Sequence, residues 1–256
     1  MNLFAFDIET IPDIEFGRRM WNLENLSDED VGNAMFFEHK QKTESEFLPL
    51  NQHRIVAISV ALRVNQTFKV WSLGEEDSNE AELVQRFFDG IEKYVPNLLS
   101  WNGSGFDLPV LHYRALKHKV QAHKYWDTGT VDNNFRYNNY LSRFHSRHID
   151  LMDVLSGYQL KGRASLDQIA SMLGFPGKLG MSGDKVWSCW LNNGINKIRN
   201  YCETDVLNTY LVFLRFEYLR GNLDQSGLKE EFELVRTSID AEKKEHFDEF
   251  LSSWEV

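Results

Sequence analysis

The chain has little cysteine and no long apolar run, and each shortage excludes a class of protein. Only Cys189 and Cys202 occur among its 256 residues, which excludes a disulfide scaffold and a four-cysteine zinc site and favours a reducing compartment. The longest apolar runs, such as residues 210–214, fall far short of the ~20 residues of a transmembrane helix. The opening MNLFAFDIET lacks the basic region of a signal peptide. We therefore expect a cytoplasmic protein with no membrane partner.

Positive charge is also scarce. The chain has 28 Lys and Arg against 38 Asp and Glu, so its formal net charge is −10. This balance argues against an electrostatic grip on long nucleic acid. By contrast, 42% of the residues are hydrophobic and 13% are aromatic, which is enough to build a large folded core and excludes disorder as the dominant state.

Apolar periodicity predicts alternating strands and helices over residues 1–221. The predicted strands are residues 3–8, a hairpin formed by 54–63 and 67–72, and residues 98–101. Helices are predicted from Ser78, over 107–117, from a capping box at Ser165 and over 195–220. This pattern indicates a mixed-sheet α/β domain.

Two acidic segments stand apart from this pattern. Residues 14–52 read as a partly helical surface insertion, and the segment Asp13 to Glu46 holds nine acids against four Lys and Arg. Residues 222–256 read as a charged helical tail, with ten acids against four Lys and Arg. Together the two segments account for an excess of eleven negative charges.

The first stretch that carries chemistry is Asp7-Ile8-Glu9. Residues two apart on a strand point to the same face, so both carboxylates can meet one cation. They stand where the strand ends, a usual place for a site in an α/β sheet. Carboxylate oxygens suit Mg²⁺ and Mn²⁺. Taken alone, however, such a pair is usually just a polar strand end.

Two further stretches add acids. In Asn102-Gly-Ser-Gly-Phe106-Asp107 a strand ends, glycines permit a tight turn, and an acid begins a helix; taken alone, Asp107 would be read as a helix N-cap. In Tyr201-Cys-Glu-Thr-Asp205 the outer residues lie four apart and share a helix face, although core packing better explains an isolated tyrosine. Four carboxylates around one point require bound cations, and two divalent ions are a known solution for cleaving a phosphodiester.

Taken in order, the three stretches resemble the motifs of the DEDD 3′–5′ exonucleases, which have a ribonuclease-H-like fold with a mixed sheet and helices on both faces. The histidine subclass has a histidine five residues before the last acid, where this chain has Asn200, whereas Tyr201 stands four residues before it. The chain therefore resembles the tyrosine subclass, DEDDy. The stretches that begin at His148, Gly174 and Tyr201 resemble predicted exonucleases related to the proofreading domain of family-B DNA polymerases.

This likeness covers most of residues 1–221 and is weakest in the insertion and the tail. No polymerase domain follows in the sequence, so the resemblance implies a free-standing enzyme. That enzyme would be a metal-dependent 3′–5′ exonuclease that hydrolyses single-stranded nucleic acid, DNA in preference to RNA, and releases 5′-mononucleotides.

The resemblance also implies roles for individual residues. Asp7 would bridge two divalent cations, Mg²⁺ or Mn²⁺. Glu9 and Asp205 would complete the site that holds the attacking water, and Asp107 would hold the second cation near the leaving oxygen. Tyr201 would orient the water and help to remove its proton. The terminal nucleotides would be contacted by Thr10, Asn102 and Phe106, the last by stacking.

Two other features suit a nucleic-acid substrate. The glycine-rich loop of residues 174–183 carries Lys178, a candidate phosphate contact, although the spacing of a phosphate-binding P-loop is absent. The stretch His112 to His148 has a local excess of five positive charges with interleaved aromatics, a composition typical of a single-strand groove. We read its histidines as surface or channel residues, and Asp150 as a helix N-cap.

Two alternatives remain open at this point. One is a catalytically weak nucleic-acid-binding module on the same fold, whose signature would be a missing carboxylate, and none is missing here. The other is an exoribonuclease that trims RNA with the same site, because discrimination by the 2′-hydroxyl depends on local shape.

Overall fold

The computed structural model describes residues 2–255, and its centre is one mixed β-sheet. The sheet has five strands in the order β3-β2-β1-β4-β5. The strands are β1 (Leu3–Pro12), β2 (His53–Val64), β3 (Thr67–Ser72), β4 (Asn97–Ser100) and β5 (His148–Asp150). β1, β2 and β3 pair antiparallel, whereas β4 and β5 run parallel to β1. The early hairpin and the mixed sheet predicted from the sequence are confirmed, in agreement with a ribonuclease-H-like fold.

Helices cover both faces of the sheet. They are α1 (Ile14–Trp21), α2 (Asp28–Thr43), α3 (Glu80–Tyr94), α4 (Asp107–His118), α5 (His123–Trp126), α6 (Leu151–Leu155), α7 (Leu166–Met172), α8 (Val186–Leu191), α9 (Ile195–Leu219), α10 (Gln225–Glu242) and α11 (Glu245–Ser252). Within residues 2–255, no helix is both long enough and apolar enough to cross a membrane.

The alternation of side chains along β1 divides the core into two halves. Leu3 and Ala5 pack with residues of α9, α10 and α11 on one face. Phe4, Phe6 and Ile8 pack with residues of α3 and α4 on the other face. Since Asp7 and Glu9 continue the odd-numbered series, the alternation places their carboxylates on the face covered by α9.

Local capping interactions set where helices begin. The capping box between Ser165 and Gln168 is present as predicted. The predicted start at Ser78 is wrong, because α3 begins at Glu80 and the side chain of Asn79 accepts a hydrogen bond from the Glu82 amide. Ser78 instead accepts a hydrogen bond from the Glu75 amide within the preceding turn, at 2.9 Å. A single residue is the usual uncertainty of such boundaries.

The predicted insertion has a small apolar core of its own, formed by Ile14, Val31, Met35 and Leu48. It contains the helices α1 and α2, which agrees with the prediction of a partly helical segment. A Cβ atom at Gly32 would lie 2.7 Å from the ring of Trp187. Only glycine therefore allows α2 to approach α8 this closely, and the insertion is fixed to the body of the protein.

A buried arginine joins the start of the insertion to the two helices on this side of the sheet. The guanidinium of Arg114, on α4, pairs with Asp13 and with Glu80. Glu80 also accepts a hydrogen bond from the Ile55 amide of β2, at 2.6 Å. Because removing one partner of a buried ion pair leaves an uncompensated charge, this group ties α1, α3, α4 and β2 together.

The residues after 221 pack on the sheet through an apolar face and one buried acid. Phe232 and Phe247 belong to the same apolar cluster as Leu3 of β1. On α9, the buried Glu203 accepts hydrogen bonds from the Ser72 amide at 2.9 Å and from Lys244 at 3.2 Å. His246 lies 2.8 Å from the same carboxylate. The division of the chain at residue 221 remains a prediction.

Candidate active site

The middle of β1 carries Asp7 and Glu9 beside an irregularity of the sheet. Because β1 continues to Pro12, the prediction that these acids stand where the strand ends is wrong. Glu9 pairs with Ala57 and Thr10 pairs with Ile55, so Val56 is an extra residue of β2. Bulges of this kind are common next to active sites, where they change the direction of side chains. Ligand atoms of Asp7, Glu9 and Cys202 lie within 4.8 Å of one another.

A third acid comes from the turn that follows β4. Asp107 is the first residue of α4, and its carboxylate accepts a hydrogen bond from the Ile8 amide of β1 at 3.1 Å. The isolated reading of Asp107 as a helix N-cap is therefore wrong, because Phe106 occupies that position. Within the turn, Asn102 has φ 64°, a left-handed conformation that asparagine tolerates well.

This turn is held by an acid that lies far away in the sequence. The carboxylate of Asp150, at the end of β5, accepts hydrogen bonds from the Asn102 and Ser104 amides, each at 2.9 Å. Asp150 is also the N-cap of α6, as the sequence predicts. The role of Asp150 in holding this turn could not be predicted from the sequence, because nothing in the local pattern relates residues 48 positions apart.

The remaining members of the site lie on the long helix α9. Tyr201 and Asp205 are one helical turn apart, and both are buried. The Tyr201 side chain is close enough to the Asp205 carboxylate to lower the pKa of that acid. Between them, the Cys202 sulfur lies 3.4 Å from the Asp7 carbonyl oxygen and 3.5 Å from Asp7 Oδ2. The structure thus brings Asp7, Glu9, Asp107, Tyr201 and Asp205 to one place.

Burial is the main cause that raises the pKa values of all four acids. Burial raises the pKa of Asp7 well above its usual range, and the negative charges of Asp107, Glu9 and Asp205 raise it further. Burial is likewise the main cause for Glu9, followed by Asp205 and Asp107. Burial raises the pKa of Asp107 to about 7 and that of Asp205 to about 6. Without a cation, the acids therefore keep their protons to a higher pH than usual. Once they lose these protons, their buried negative charges repel one another.

Tyr201 and Cys202 remain neutral beside this charge. Burial and the charges of Asp205, Glu9 and Asp7 raise the pKa of the Tyr201 hydroxyl far above its usual range. Burial and the charges of Asp7 and Glu9 do the same to the pKa of the Cys202 thiol. The sequence reading of Cys202 as core packing holds in part, since it packs with Ile11 and Ile198, but its sulfur also touches an acid of the site.

The donor set fits divalent cations. The ligand atoms are oxygens of four buried or half-buried carboxylates, and hard cations such as Mg²⁺ and Mn²⁺ prefer such ligands. Lys178 is exposed, and its charge lowers the pKa values of Glu9 and Asp205. One exposed ammonium group offsets only part of the negative charge, so bound cations are the natural counterpart of this cluster.

A cavity of about 590 Å³ opens beside the acids, and it is lined in part by Glu9, Thr10, Phe106 and Lys178. Three of the four predicted substrate contacts therefore meet at one opening. Asn102, the fourth, lies outside this cavity, in the turn before Asp107. Phe36, Phe47 and Leu48 of the insertion, together with His53 and Trp187, also line the opening; sequence reasoning did not place them there.

The loop that carries Lys178 is fixed at its base. Asn208 of α9 donates a hydrogen bond to the Gly177 carbonyl at 2.9 Å and accepts one from the Gly177 amide at 3.2 Å. Asp167 accepts a hydrogen bond from the Lys178 amide at 2.8 Å. The sequence explained Asp167 by helix-start chemistry alone and gave no role to Asn208, which follows Asp205 by three residues.

The basic and aromatic stretch between His112 and His148 is only partly available to a ligand. Tyr125, Phe135 and Tyr140 are buried in the core, so these three rings cannot stack on a ligand. His148 is also buried, and its Nε2 lies 2.8 Å from the Ser100 hydroxyl, which excludes the predicted surface or channel role. By contrast, Tyr137 and Phe144 are exposed.

Known proteins with similar sequences identify the family of this chain. A segment of 43 residues is 51% identical to a protein named DNA polymerase 1 from Sulfurisphaera ohwakuensis, and it covers 17% of this chain and 5% of that protein. The chain thus spans only a small part of the length of this relative. Residues 45–254 match the family of predicted 3′–5′ exonucleases related to the exonuclease domain of PolB. Because this match covers most of the chain, the protein belongs to that family.

Proposed function

We propose that this protein is a 3′–5′ exonuclease that uses two divalent cations, Mg²⁺ or Mn²⁺. It hydrolyses phosphodiester bonds from the 3′ end of single-stranded nucleic acid and releases 5′-mononucleotides. The observation that carries the proposal is the cluster of Asp7, Glu9, Asp107 and Asp205 with raised pKa values beside Tyr201. The family to which the chain belongs supports the reaction class.

The four carboxylates would hold the cations, with Asp7 in the central position because the charges of the other three acids all act on it. When bound, the cations supply positive charge that stabilises the charge developing on the phosphate and lowers the pKa of water. The neutral Tyr201 hydroxyl interacts with Asp205. Its oxygen can hold the attacking water in position and pass a proton toward the neighbouring acids.

Binding of the strand would depend on a few contacts close to the acids. Lys178 lies where its charge acts on Glu9 and Asp205, so its ammonium group is suited to a phosphate at the same edge. Phe106 offers a half-buried ring at the cavity. With a net charge of −10 for the chain, binding to long duplex should be weak and sensitive to salt.

DNA is the favoured substrate, because the relative is named as a DNA polymerase. An RNA-trimming enzyme and a weakly active binding module remain the competing proposals. One panel of single- and double-stranded DNA and RNA separates these three proposals, because it compares strand type, sugar and turnover in one experiment.

The first prediction concerns activity and its dependence on Asp7. With Mn²⁺, the protein should shorten a 5′-labelled single-stranded oligonucleotide from its 3′ end, and EDTA or a 3′-phosphate should block the reaction. Asp7→Asn should lower the rate by about 1,000-fold or more. The substitution removes a negative charge that would hold the cations, and the cations would stabilise the transition state by several kcal/mol. Gel analysis of single- and double-stranded DNA and RNA measures this directly.

The matched control is Glu233→Gln, which removes one negative charge from the exposed face of α10. It should leave the rate unchanged. Full activity of Asp7→Asn would contradict the assignment, and binding of all substrates without turnover would favour the binding module.

The second prediction is a pH-dependent stabilisation by Mn²⁺. The folded-state pKa values of Asp107 and Asp205 are about 7 and about 6, against an ordinary value of 3.8. Between these limits the folded state binds more protons than the unfolded state, so the stability contributed by these groups falls as pH rises and is lowest above pH 7. Since a cation replaces these protons, Mn²⁺ should raise the thermal unfolding midpoint more at pH 8 than at pH 5.

Circular dichroism melts with and without Mn²⁺ measure this difference. Asp7→Asn should reduce the Mn²⁺-dependent shift at pH 8, whereas Glu233→Gln should keep it. A larger shift at pH 5 than at pH 8 would show that the cation binds elsewhere.

The third prediction separates water positioning from cation binding. Tyr201→Phe should lower kcat by about 100-fold, because it removes the hydroxyl that positions the water and relays its proton. Its affinity for Mn²⁺, measured by calorimetric titration, should stay close to that of the unchanged protein. An equal loss of kcat and of Mn²⁺ affinity would mean that Tyr201 acts through the cations alone.

A further inference from the structure

The cavity beside Glu9 is lined both by residues near the acids and by residues of the insertion. Its polar end carries Glu9, Thr10 and Lys178, whereas Phe47 and Trp187 contribute apolar rings. A volume of about 590 Å³ lies within the range of ~300–1,000 Å³ that small-molecule sites occupy. A nucleotide has the same division into a charged phosphate, a polar sugar and an apolar base.

Three rings form a closed group at the wall of this cavity. The ring centroids of Phe47 and Phe106 are 5.5 Å apart, those of Phe47 and His53 are 5.3 Å apart, and those of His53 and Phe106 are 5.2 Å apart. Yet Phe47 is 59% exposed, so two rings support it while much of its surface stays open. A supported, open ring beside a polar site is suited to stack on a nucleobase.

A chain of hydrogen bonds fixes the chemical character of Thr10. His53 Nε2 lies 3.0 Å from the Leu48 carbonyl oxygen, and His53 Nδ1 lies 2.8 Å from the Thr10 hydroxyl. A carbonyl can only accept, so Nε2 must carry the hydrogen, and Nδ1 of the neutral ring is then an acceptor. The Thr10 hydroxyl therefore donates to His53.

It follows that Thr10 presents only lone pairs to a ligand in the cavity. The ring of His53 is buried, and burial lowers its pKa, as does the charge of Arg114; both favour the neutral form that this hydrogen-bond chain requires. An oxygen that can only accept is complementary to a hydroxyl group of a sugar, and it offers nothing to a phosphate.

The insertion is held firmly enough to act as one wall of a site. Gly32 of α2 lies directly against the Trp187 ring, and a Cβ atom at Gly17 of α1 would lie 2.6 Å from Met35 of α2. Leu48, which follows Phe47, is buried in the apolar core of the insertion. Phe47 and the Leu48 carbonyl are therefore placed before any ligand arrives, which lowers the entropic cost of binding.

We propose that the insertion and His53 complete a pocket for the 3′-terminal nucleoside, with the base against Phe47 and the 3′-hydroxyl donating to Thr10. This inference rests on the proposed exonuclease function. It makes Phe47 a specificity residue and His53 a positioning residue that acts through Thr10. The product, a nucleoside 5′-monophosphate, fits the same pocket with its phosphate toward Lys178.

The fourth prediction tests the base contact. Phe47→Ala should raise KM about tenfold for an oligonucleotide with a normal 3′ terminus, because stacking on the terminal base is lost, and kcat should change little. On an oligonucleotide whose 3′-terminal unit lacks a base, Phe47→Ala and the unchanged protein should have the same KM. Phe37→Ala is the matched control, because Phe37 lies in the same insertion and is 64% exposed.

A calorimetric titration with deoxyadenosine 5′-monophosphate in Mn²⁺ gives a readout that is independent of turnover. Phe47→Ala should weaken this binding about tenfold, whereas Phe37→Ala should not. Equal binding by both variants, or an equal KM increase on both substrates, would overturn the pocket. If no oligonucleotide is shortened but binding still depends on Phe47, the proposed function fails and the nucleotide pocket stands.

The fifth prediction tests the sugar contact. Thr10→Val should lower kcat/KM about fivefold on a 3′-hydroxyl terminus, because one neutral hydrogen bond is lost, and should have no effect on a 3′-deoxy terminus. His53→Phe keeps a ring and removes the acceptor, so it should show the same selectivity between the termini. An equal loss on both termini would mean that these residues only support the fold.

Discussion

The arrangement of the site depends on the burial of four acids beside the middle of β1. Burial and proximity raise the pKa values of these acids, so without cations the cluster opposes the folded state at neutral pH. Backbone hydrogen bonds hold Asp107 and the turn that precedes it. The Ile8 amide binds Asp107, and the amides of the turn before Asp107 bind Asp150. Backbone donors thus fix Asp107 and the turn that precedes it.

The sequence predicts the parts of this centre that depend on local periodicity. Alternation along β1 puts Asp7 and Glu9 on one face, and helical spacing puts Tyr201 beside Asp205; both arrangements appear in the structure. The long helix and the hairpin could be predicted for the same reason, because their apolar patterns extend over several turns or residue pairs. Motif order then connected stretches that lie far apart in the chain.

What the sequence could not predict depends on contacts between distant segments. Asp150 and Asn208 support loops that follow other elements, and no local pattern distinguishes such residues from ordinary caps or helix surface. Composition also failed between His112 and His148, because aromatic content does not tell which rings face the core. Phe47 shows the opposite case: it is apolar but exposed, and only the position of its neighbours shows that it borders the site.

The buried carboxylate of Glu203 connects α9, next to the site, with β3 and with the C-terminal part of the chain. It lies in the sequence between Tyr201 and Asp205 and is bonded to Ser72 of β3, to Lys244 just before α11 and to His246 within α11. The C-terminal part of the chain is therefore bonded to the segment of α9 that carries Tyr201. A partner that displaced α11 would leave the buried Glu203 carboxylate without its contacts to Lys244 and His246, so a change at the C-terminal helix would reach the part of α9 that carries Tyr201 and Asp205.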